Sequence, residues 1–367
     1  YDLYQRPDSA ERLLSAAGQI ATMLRFQRGH IDRLETLHPA YFAMVMATGI
    51  VAIAAMLNKI PVLPTVLFWL NAGLFSILLG ATIARAIIHP SAFAADIQSH
   101  SRGVGFVTIV AAFGVFGSEL VVQMGAAKIA LIFWIIAAGL WFVVTYGILA
   151  VLMVTPDKPR FADGVNGGWL VIVVATQAIS VLTILILPGS LPAAFHAPMM
   201  FAALILWLCG GAIYMWLITI LVYRFIFLPM PPQDITPPFW INMGAVAISS
   251  LAGATLLHAA PLSPVISDIA PFVEGFTLLF WAIGSWWIPI LLAFGIWRYI
   301  LCGVPLAYDP LYWGGVFPLG MYSVCTHQLA EMLGLSYLAS MSYVVMLLSL
   351  LAWLATFIGL IDSRLRA

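Results

Sequence analysis

The sequence predicts an all-α integral membrane protein in which ten transmembrane helices form five tandem hairpins around a central path. Three observations support this fold class. Hydrophobic residues make up 63% of the 367 residues and charged residues only 8%, and the mean hydropathy is +1.05. Ten apolar stretches are long enough to cross a bilayer, and basic residues concentrate in alternate connections between them. Soluble domains do not have this composition.

The ten apolar stretches are interpreted as helices rather than strands. A spanning helix needs about 20 predominantly apolar residues, and the runs here are continuous, without the alternation of membrane strands. The longest connections are residues 88–102 and 155–165, so we expect sequence neighbours to be antiparallel and adjacent. The predicted spans are 39–58, 62–87, 103–124, 126–154, 166–187, 197–227, 236–259, 271–301, 311–333 and 335–361.

The basic residues predict the orientation of the bundle. Only Lys59 and Lys128 fall on one side, whereas the other thirteen of the fifteen fall on the opposite side. Because Lys and Arg in short loops are retained in the cytoplasm, the sequence predicts an inner-membrane protein with both termini cytoplasmic. The thirteen are Arg6, Arg12, Arg25, Arg28, Arg33, Arg85, Arg102, Lys158, Arg160, Arg224, Arg298, Arg364 and Arg366.

Three regions follow from this topology. Residues 1–37 form a cytoplasmic N-terminal segment, residues 38–362 the ten-helix domain and residues 363–367 a cytoplasmic tail. From Ser9 onward, leucine, isoleucine and methionine interleave with arginine in the first region, which is an amphipathic pattern. Such a helix suits either the anionic inner leaflet or the cytoplasmic ends of the bundle.

The odd-numbered predicted helices differ in composition from the even-numbered ones. They carry Gly, Ser, Thr and Pro repeatedly, while the even ones are richer in Leu, Ile and Trp. Small residues allow close backbone approach, and Gly and Pro are tolerated where neighbouring helices or a cavity satisfy freed backbone groups. Tight packing alone explains such residues too, but their recurrence in every odd helix favours an interior position. Candidate pore-lining or kink residues are Gly49, Gly114, Gly117, Gly168, Gly253, Pro318 and Gly320.

Four segments carry a resemblance to a known family. They are HPAYFAMVMATGI at residues 38–50, NGGW at 166–169, PPFWI at 237–241 and YWGGVFP at 312–318. In this order they resemble the tellurite-resistance/dicarboxylate transporter family, over residues 36–362. That family includes bacterial tellurite-resistance channel homologues, fungal malate permeases and sulfite efflux pumps, and the plant guard-cell slow anion channels.

The resemblance implies quasi-fivefold symmetry, odd helices that line a pore, and a homotrimer with one pore per subunit. It also implies that a phenylalanine of the ninth helix closes the pore, and the pattern maps this gate to Phe317. Counting 1.5 Å per residue from Asp309 places Phe317 about 12 Å into the helix. Val316, Leu319 and Tyr322 therefore stay open as alternatives at mid-membrane, and an ordinary core phenylalanine is the plainer explanation.

The spans contain no Lys or Arg near their centres that could bind an anion permanently. Backbone amides at kinks and Ser or Thr hydroxyls would instead select a conducted anion by weak electropositivity. The N-terminal ends of the odd helices are expected to face the cytoplasm, where nearby basic residues would also concentrate anions. The basic residues expected to do so are Arg102, Lys158, Arg160 and Arg224.

The acidic residues favour a channel over a coupled carrier. Glu119, Glu274 and Glu331 lie nearest to or within the spans, and all three are expected toward the outer ends. Coupled transporters usually keep an acid or a histidine near the midplane. His327 is the one residue expected to titrate close to the path, although helix packing is the simpler explanation for it.

The expected function is that of an inner-membrane channel or transporter for small or organic anions, and the resemblance adds the C4-dicarboxylate (malate) class. The alternative is a proton-coupled efflux carrier for sulfite, malate or a tellurium oxyanion. An enzyme is not expected, because the sequence has neither the catalytic residue sets of intramembrane proteases nor the paired histidines on facing helices that bind haem. Cys209, Cys302 and Cys325 have no ligand spacing, so we expect neither cofactor nor metal. Expected partners are anions, the bilayer and further copies of the chain, and not nucleic acid.

Overall fold

The structure is a computed structural model that describes residues 34–366, so most of the predicted amphipathic segment 1–37 lies outside the described residues. Residues 34–366 contain helices and no strand. Ten long helices end within four residues of the predicted spans, which confirms the all-α membrane fold. They are α1 Pro39–Leu57, α2 Leu63–Ile88, α3 Gly103–Met124, α4 Ala127–Val154, α5 Gly167–Ser190, α6 Ala193–Phe227, α7 Pro237–His258, α8 Ala270–Leu301, α9 Trp313–Leu333 and α10 Ser336–Leu365.

Nine of these ten helices of the described chain are long and apolar enough to span a membrane. The exception, α9, has 21 residues but is more polar, because it carries Gly, Ser and Thr together with His327 and Glu331. Two outer helices contain short π-helical stretches, Trp141–Thr145 in α4 and Ile296–Leu301 in α8. A separate short helix, Pro90–Gln98, joins α2 to α3.

The odd-numbered helices form the interior, as predicted. In α1, α3, α5 and α7, between 78% and 94% of the most apolar stretch is buried, whereas the even helices bury 22% to 33%. Each odd helix packs on the next one along the chain, and α9 packs back on α1, which closes a ring of five. The even helices lie outside, each against the odd helix of its own hairpin. Quasi-fivefold symmetry is consistent with this closed ring and stays a prediction.

Glycines let the ring helices approach closely. A Cβ atom at Gly320 of α9 would lie 2.7 Å from Ile50 Cγ2 of α1, and one at Gly114 of α3 would lie 2.8 Å from Ala178 Cβ of α5. Carbon atoms do not pack at such distances, so larger side chains would force the ring apart.

Tryptophans of the outer helices form hydrogen bonds to the helices of the ring. Their indole N–H groups donate to threonine hydroxyls on odd helices, and each such bond satisfies a polar group that lipid could not. This explains why tryptophans of the outer helices recur opposite threonines of the inner ones. The bonds are Trp134 to Thr183 (2.7 Å), Trp141 to Thr176 (2.9 Å), Trp281 to Thr326 (3.0 Å) and Trp353 to Thr48 (2.9 Å).

Candidate functional site

Two cavities lie inside the ring, one at each end. The N-end cavity, of about 450 Å³, is where the odd helices begin, and the C-end cavity, of about 270 Å³, is where they end. All five odd helices contribute lining residues to both. The N-end cavity has a largely polar wall near its mouth, whereas the C-end cavity is lined mostly by aliphatic side chains with Ser118, Thr255, His258 and Gln328.

A barrier one to two helical turns thick separates the cavities. Since α-helices rise 1.5 Å per residue, one turn corresponds to about 5.4 Å. The cavities share no lining residue, and along three of the helices their nearest lining residues are four positions apart. These pairs, N-end residue first, are Met46 and Ile50 on α1, Val174 and Ala178 on α5, and Phe317 and Met321 on α9.

Phe317 is the α9 residue that reaches the N-end cavity at the barrier. It lines that cavity and is 2% exposed, so most of its ring is packed into the barrier. The three alternatives face elsewhere. Val316 and Leu319 line a separate groove between α7, α8, α9 and α10, and the Tyr322 hydroxyl lies 2.6 Å from Ser285 Oγ on α8.

The seven candidate small residues divide into two groups. Gly168 lines the N-end cavity and Gly114 the C-end cavity. The other five lie at contacts between helices, which is the role expected of small residues in tight packing. Their neighbours are Glu119 and Asn71 for Gly49, Leu182 for Gly117, Thr277 for Gly253, Gly244 for Pro318, and Ile50 for Gly320.

The structure separates the four candidate cationic residues. Arg102 and Arg224 line the N-end cavity, and Lys158 and Arg160 do not. Arg224 pairs with Asp234 at 3.1 Å and its side chain is only 4% exposed. Arg160 pairs with Asp163 and is 86% exposed. Lys158 instead donates to the backbone carbonyls of residues 152 and 153.

Arg102 belongs to a cluster with more cations than anions. Its Nε lies 2.6 Å from Asp96 Oδ1, while Arg85 Nη2 lies 2.7 Å from Asp96 Oδ2. Two guanidinium groups therefore share one carboxylate, and both hold the pKa of Asp96 below its usual value even though burial acts in the opposite direction. The cluster carries one net positive charge beside the N-end cavity, whose wall also contains Asp163 and Asp234.

His38 adds a neutral donor beside this cluster. Its Nδ1 accepts from the backbone N–H of Ala40 at 3.1 Å, at the start of α1, so the ring proton of the neutral form is on Nε2. Burial, followed by the positive charge of Arg102, lowers the pKa of His38 to about 4. His38 therefore stays neutral at physiological pH and lines the N-end cavity.

The predicted acids and His327 lie near the C-terminal end of the ring. Glu274 and Glu331 are exposed, and His327 Nε2 lies 3.6 Å from Glu331 Oε1. His327 lines neither cavity, although the adjacent Gln328 lines the C-end cavity. Glu119, in contrast, is fully buried. Among residues 34–366, no group of three or more His, Cys, Asp or Glu side chains is placed to hold a metal ion.

Several residues that line the cavities were not predicted from the sequence. Met46, Ile50 and Met321 frame the barrier, but apolar residues of this kind are frequent in every span. The signal that could have found Met321 is its spacing, one helical turn from Phe317 on the same face. His38 could have been found as a histidine directly before a proline that opens a helix.

The sequence is similar to those of known membrane proteins. The family model described as voltage-dependent anion channel (SLAC1) matches residues 36–361. Two uncharacterized transporters of Methanocaldococcus jannaschii are 26% and 27% identical over 90% and 92% of this chain, which covers 95% and 96% of theirs. An uncharacterized membrane protein of Mycobacterium tuberculosis is 38% identical over 39% of this chain and 72% of its own length.

The match confirms the family that the four segments predicted, and it extends over all ten helices of the ring and its outer layer. The two relatives that cover most of this chain are described as uncharacterized transporters. The chain belongs to the voltage-dependent anion channel family, whose members are anion channels and transporters of the membrane.

Proposed function

We propose that the protein conducts anions along the axis of the five-helix ring, from the N-end cavity to the C-end cavity. The observation that carries this proposal is that all five odd helices line both cavities on either side of one thin barrier. The barrier is apolar, and an apolar constriction closes a pore by steric blockage and dewetting. The path through the two cavities is only weakly polar, so it would bind an anion loosely enough to release it.

Phe317 is the proposed gate. Its ring lies at the barrier and lines the N-end cavity, so its removal would widen the narrowest part of the path. Phe317→Ala should raise anion conductance several-fold in planar bilayers. Val316→Ala is the matched control, because the neighbouring side chain faces a groove outside the ring. Unchanged conductance of Phe317→Ala in correctly inserted protein would remove Phe317 from the gate.

The proposed location is the inner membrane, with the N-end cavity and both termini facing the cytoplasm. The charge distribution supports this orientation. Arg85, Arg102 and Arg224 lie at the N-terminal end of the ring, whereas the exposed Lys59 and Lys128 lie at the C-terminal end. The excess of basic residues marks the cytoplasmic side.

The proposed substrates are small anions, either inorganic or organic. The organic anions are of the C4-dicarboxylate (malate) class. A cavity of about 450 Å³ leaves room for either kind, because pockets for drug-sized molecules begin at about 300 Å³. Liposome flux of chloride, nitrate, sulfite and malate distinguishes them. Saturable flux driven by a proton gradient would support the alternative, a proton-coupled efflux carrier for sulfite, malate or a tellurium oxyanion.

We propose a homotrimer with one path in each subunit and no catalytic activity. Support comes from the family, which consists of channels and transporters, and from the outer helices, whose exposed apolar side chains suit lipid or another subunit. The mass of the protein in lipid nanodiscs measures the copy number directly. A monomer at all lipid ratios would contradict the trimer without affecting the path inside one subunit.

A further inference from the structure

One carboxyl group lies fully enclosed in the membrane part of the bundle, outside the lining of both cavities. Glu119 on α3 and Asn71 on α2 are each 0% exposed. Asn71 Nδ2 lies 2.5 Å from Glu119 Oε2, and Gln123 Nε2 donates to Glu119 Oε1 at 3.3 Å. None of the ion pairs formed within residues 34–366 includes Glu119.

The helices packed on α3 bring no charge to this carboxyl group. They are α1, α2, α4 and α5, and α5 has no titratable side chain. On the other three helices and the connection between α1 and α2, two titratable groups lie at the N-terminal end of the ring, where they bind Asp96 and Arg364, and three lie on the outer surface of the bundle. These groups are Arg85 and Tyr41 at the N-terminal end, and the exposed Lys59, Lys128 and Tyr146.

A proton on Glu119 accounts for this environment. An ionised carboxylate without a counter-charge costs several kcal/mol to bury. Both hydrogen bonds that Glu119 accepts come from neutral amides, Asn71 Nδ2–H and Gln123 Nε2–H, so a proton neutralises the carboxyl group where no cation does.

Glu119 stands on α3 at the level of the C-end cavity, between Ser118 and Val122, and its carboxyl group reaches α1 beside the barrier. A Cβ atom at Gly49 would lie 2.7 Å from Glu119 Oε2, so the α1 backbone touches the carboxyl group at that point. Gly49 is between Met46 and Ile50, which line the two cavities on either side of the barrier. An ionised Glu119 would draw water or other donors into this contact and move α1 at the level of the barrier.

Gln123 connects the buried pair to solvent. It lies one turn closer than Glu119 to the C-terminal end of α3, and it is partly exposed. Val122 beside it lines the C-end cavity. The hydrogen bond from Gln123 to Glu119 therefore joins the carboxyl group to a side chain that water reaches at that end.

We propose that Glu119 is a proton-binding site that regulates anion flux through the ring. One proton passes between water at the C-terminal end and a carboxyl oxygen of Glu119, and no other bond forms or breaks. With the proton bound, α1, α2 and α3 stay packed and the barrier is closed, whereas loss of the proton loosens α1 and raises anion flux. The regulatory half rests on the proposed anion path, while the proton-binding half does not.

Infrared spectroscopy of the protein in lipid tests the proton-binding half. At pH 7 the wild-type spectrum should contain the carbonyl stretch of a protonated carboxylic acid, and Glu119→Gln should lack it. Gln123→Leu should shift this band, because it removes a hydrogen bond to the carboxyl group, and it serves if Glu119→Gln fails to insert. A wild-type spectrum with carboxylate bands alone would overturn the proposal.

Anion flux tests the regulatory half in the same liposomes. Wild-type flux should rise several-fold as the pH on the C-terminal side is raised, while Glu119→Gln, which cannot ionise, should give low flux at every pH. Equal pH dependence in the two proteins would overturn the regulation. Absence of anion flux from every variant would instead contradict the proposed function, and the infrared result would still stand by itself.

Discussion

At the scale of single residues, function depends on how each side chain is held rather than on its type. Phe317 is one of 22 phenylalanines, and it is distinguished by its position at the barrier. His38 is held by the hydrogen bond that its Nδ1 accepts from the Ala40 N–H, which fixes the tautomer with the proton on Nε2. Burial and the neighbouring Arg102 favour the neutral ring.

His38 makes stability depend on pH in a defined direction. Its pKa is lowered from 6.5 to about 4, so between these values the unfolded chain binds a proton and the folded protein does not. The contribution of His38 to the free energy of unfolding is therefore fully present above pH 6.5. It is lost as the pH decreases toward 4, and the loss is at most about 3 kcal/mol. His38→Asn keeps an oxygen that can accept from Ala40 N–H but cannot titrate. The wild type should lose more thermal stability than His38→Asn between pH 7 and pH 4, and parallel curves would contradict this role.

At the scale of helices, the sequence predicted which elements form and which lie inside, because span length and small-residue content are local properties. It could not separate a glycine that lines a cavity from one that packs on a neighbour. Gly114 packs on Ala178 of α5 and also lines the C-end cavity, whereas Gly117, three residues later, packs on Leu182 of α5 and lines neither cavity. That difference depends on the rotation of α3 within the ring, which follows from contacts between distant helices. The tryptophan–threonine bonds were unpredicted for the same reason.

The packing of α1 on α9 gives a sharp stability prediction. A Cβ atom at Gly320 would lie 2.7 Å from Ile50 Cγ2 and 3.4 Å from the Val51 backbone nitrogen. Gly320→Ala should therefore destabilise the ring by about 1 to 3 kcal/mol, the usual cost of overpacking. Gly139→Ala on α4 is the control, because nothing lies within 4 Å of its Cβ position. Equal melting temperatures of the two variants in one detergent would contradict the close contact.

At the scale of the whole molecule, the fold aligns five helices in one direction, so that their positive N-terminal ends surround one cavity. The sequence predicted thirteen basic residues on that side, but it could not show their partners. In the described chain, aspartates pair with Arg102, Arg160 and Arg224. The positive charge at the N-end cavity is therefore weaker than the residue count suggests.

Arg102 is the basic residue whose charge is expected to matter most for flux. Its removal leaves Asp96 paired with Arg85, so Arg102→Gln lowers the positive charge of the cavity wall without stranding a carboxylate. Outward anion flux should fall several-fold at low ionic strength, and less at high salt, where charges are screened. Lys158→Gln is the control, because Lys158 does not line the cavity. Equal fluxes of the two variants at low salt would argue against electrostatic attraction at this mouth.

Anion conduction through the ring is the property on which the proposed function depends. The measurement that tests it most directly is the reversal potential of the Phe317→Ala protein in a planar bilayer with unequal salt concentrations on the two sides. We predict a current that reverses at the Nernst potential of the anion. This current should be larger than that of the wild type at the same protein density. A current that reverses at the cation potential, or no current from protein shown to be inserted, would contradict the account.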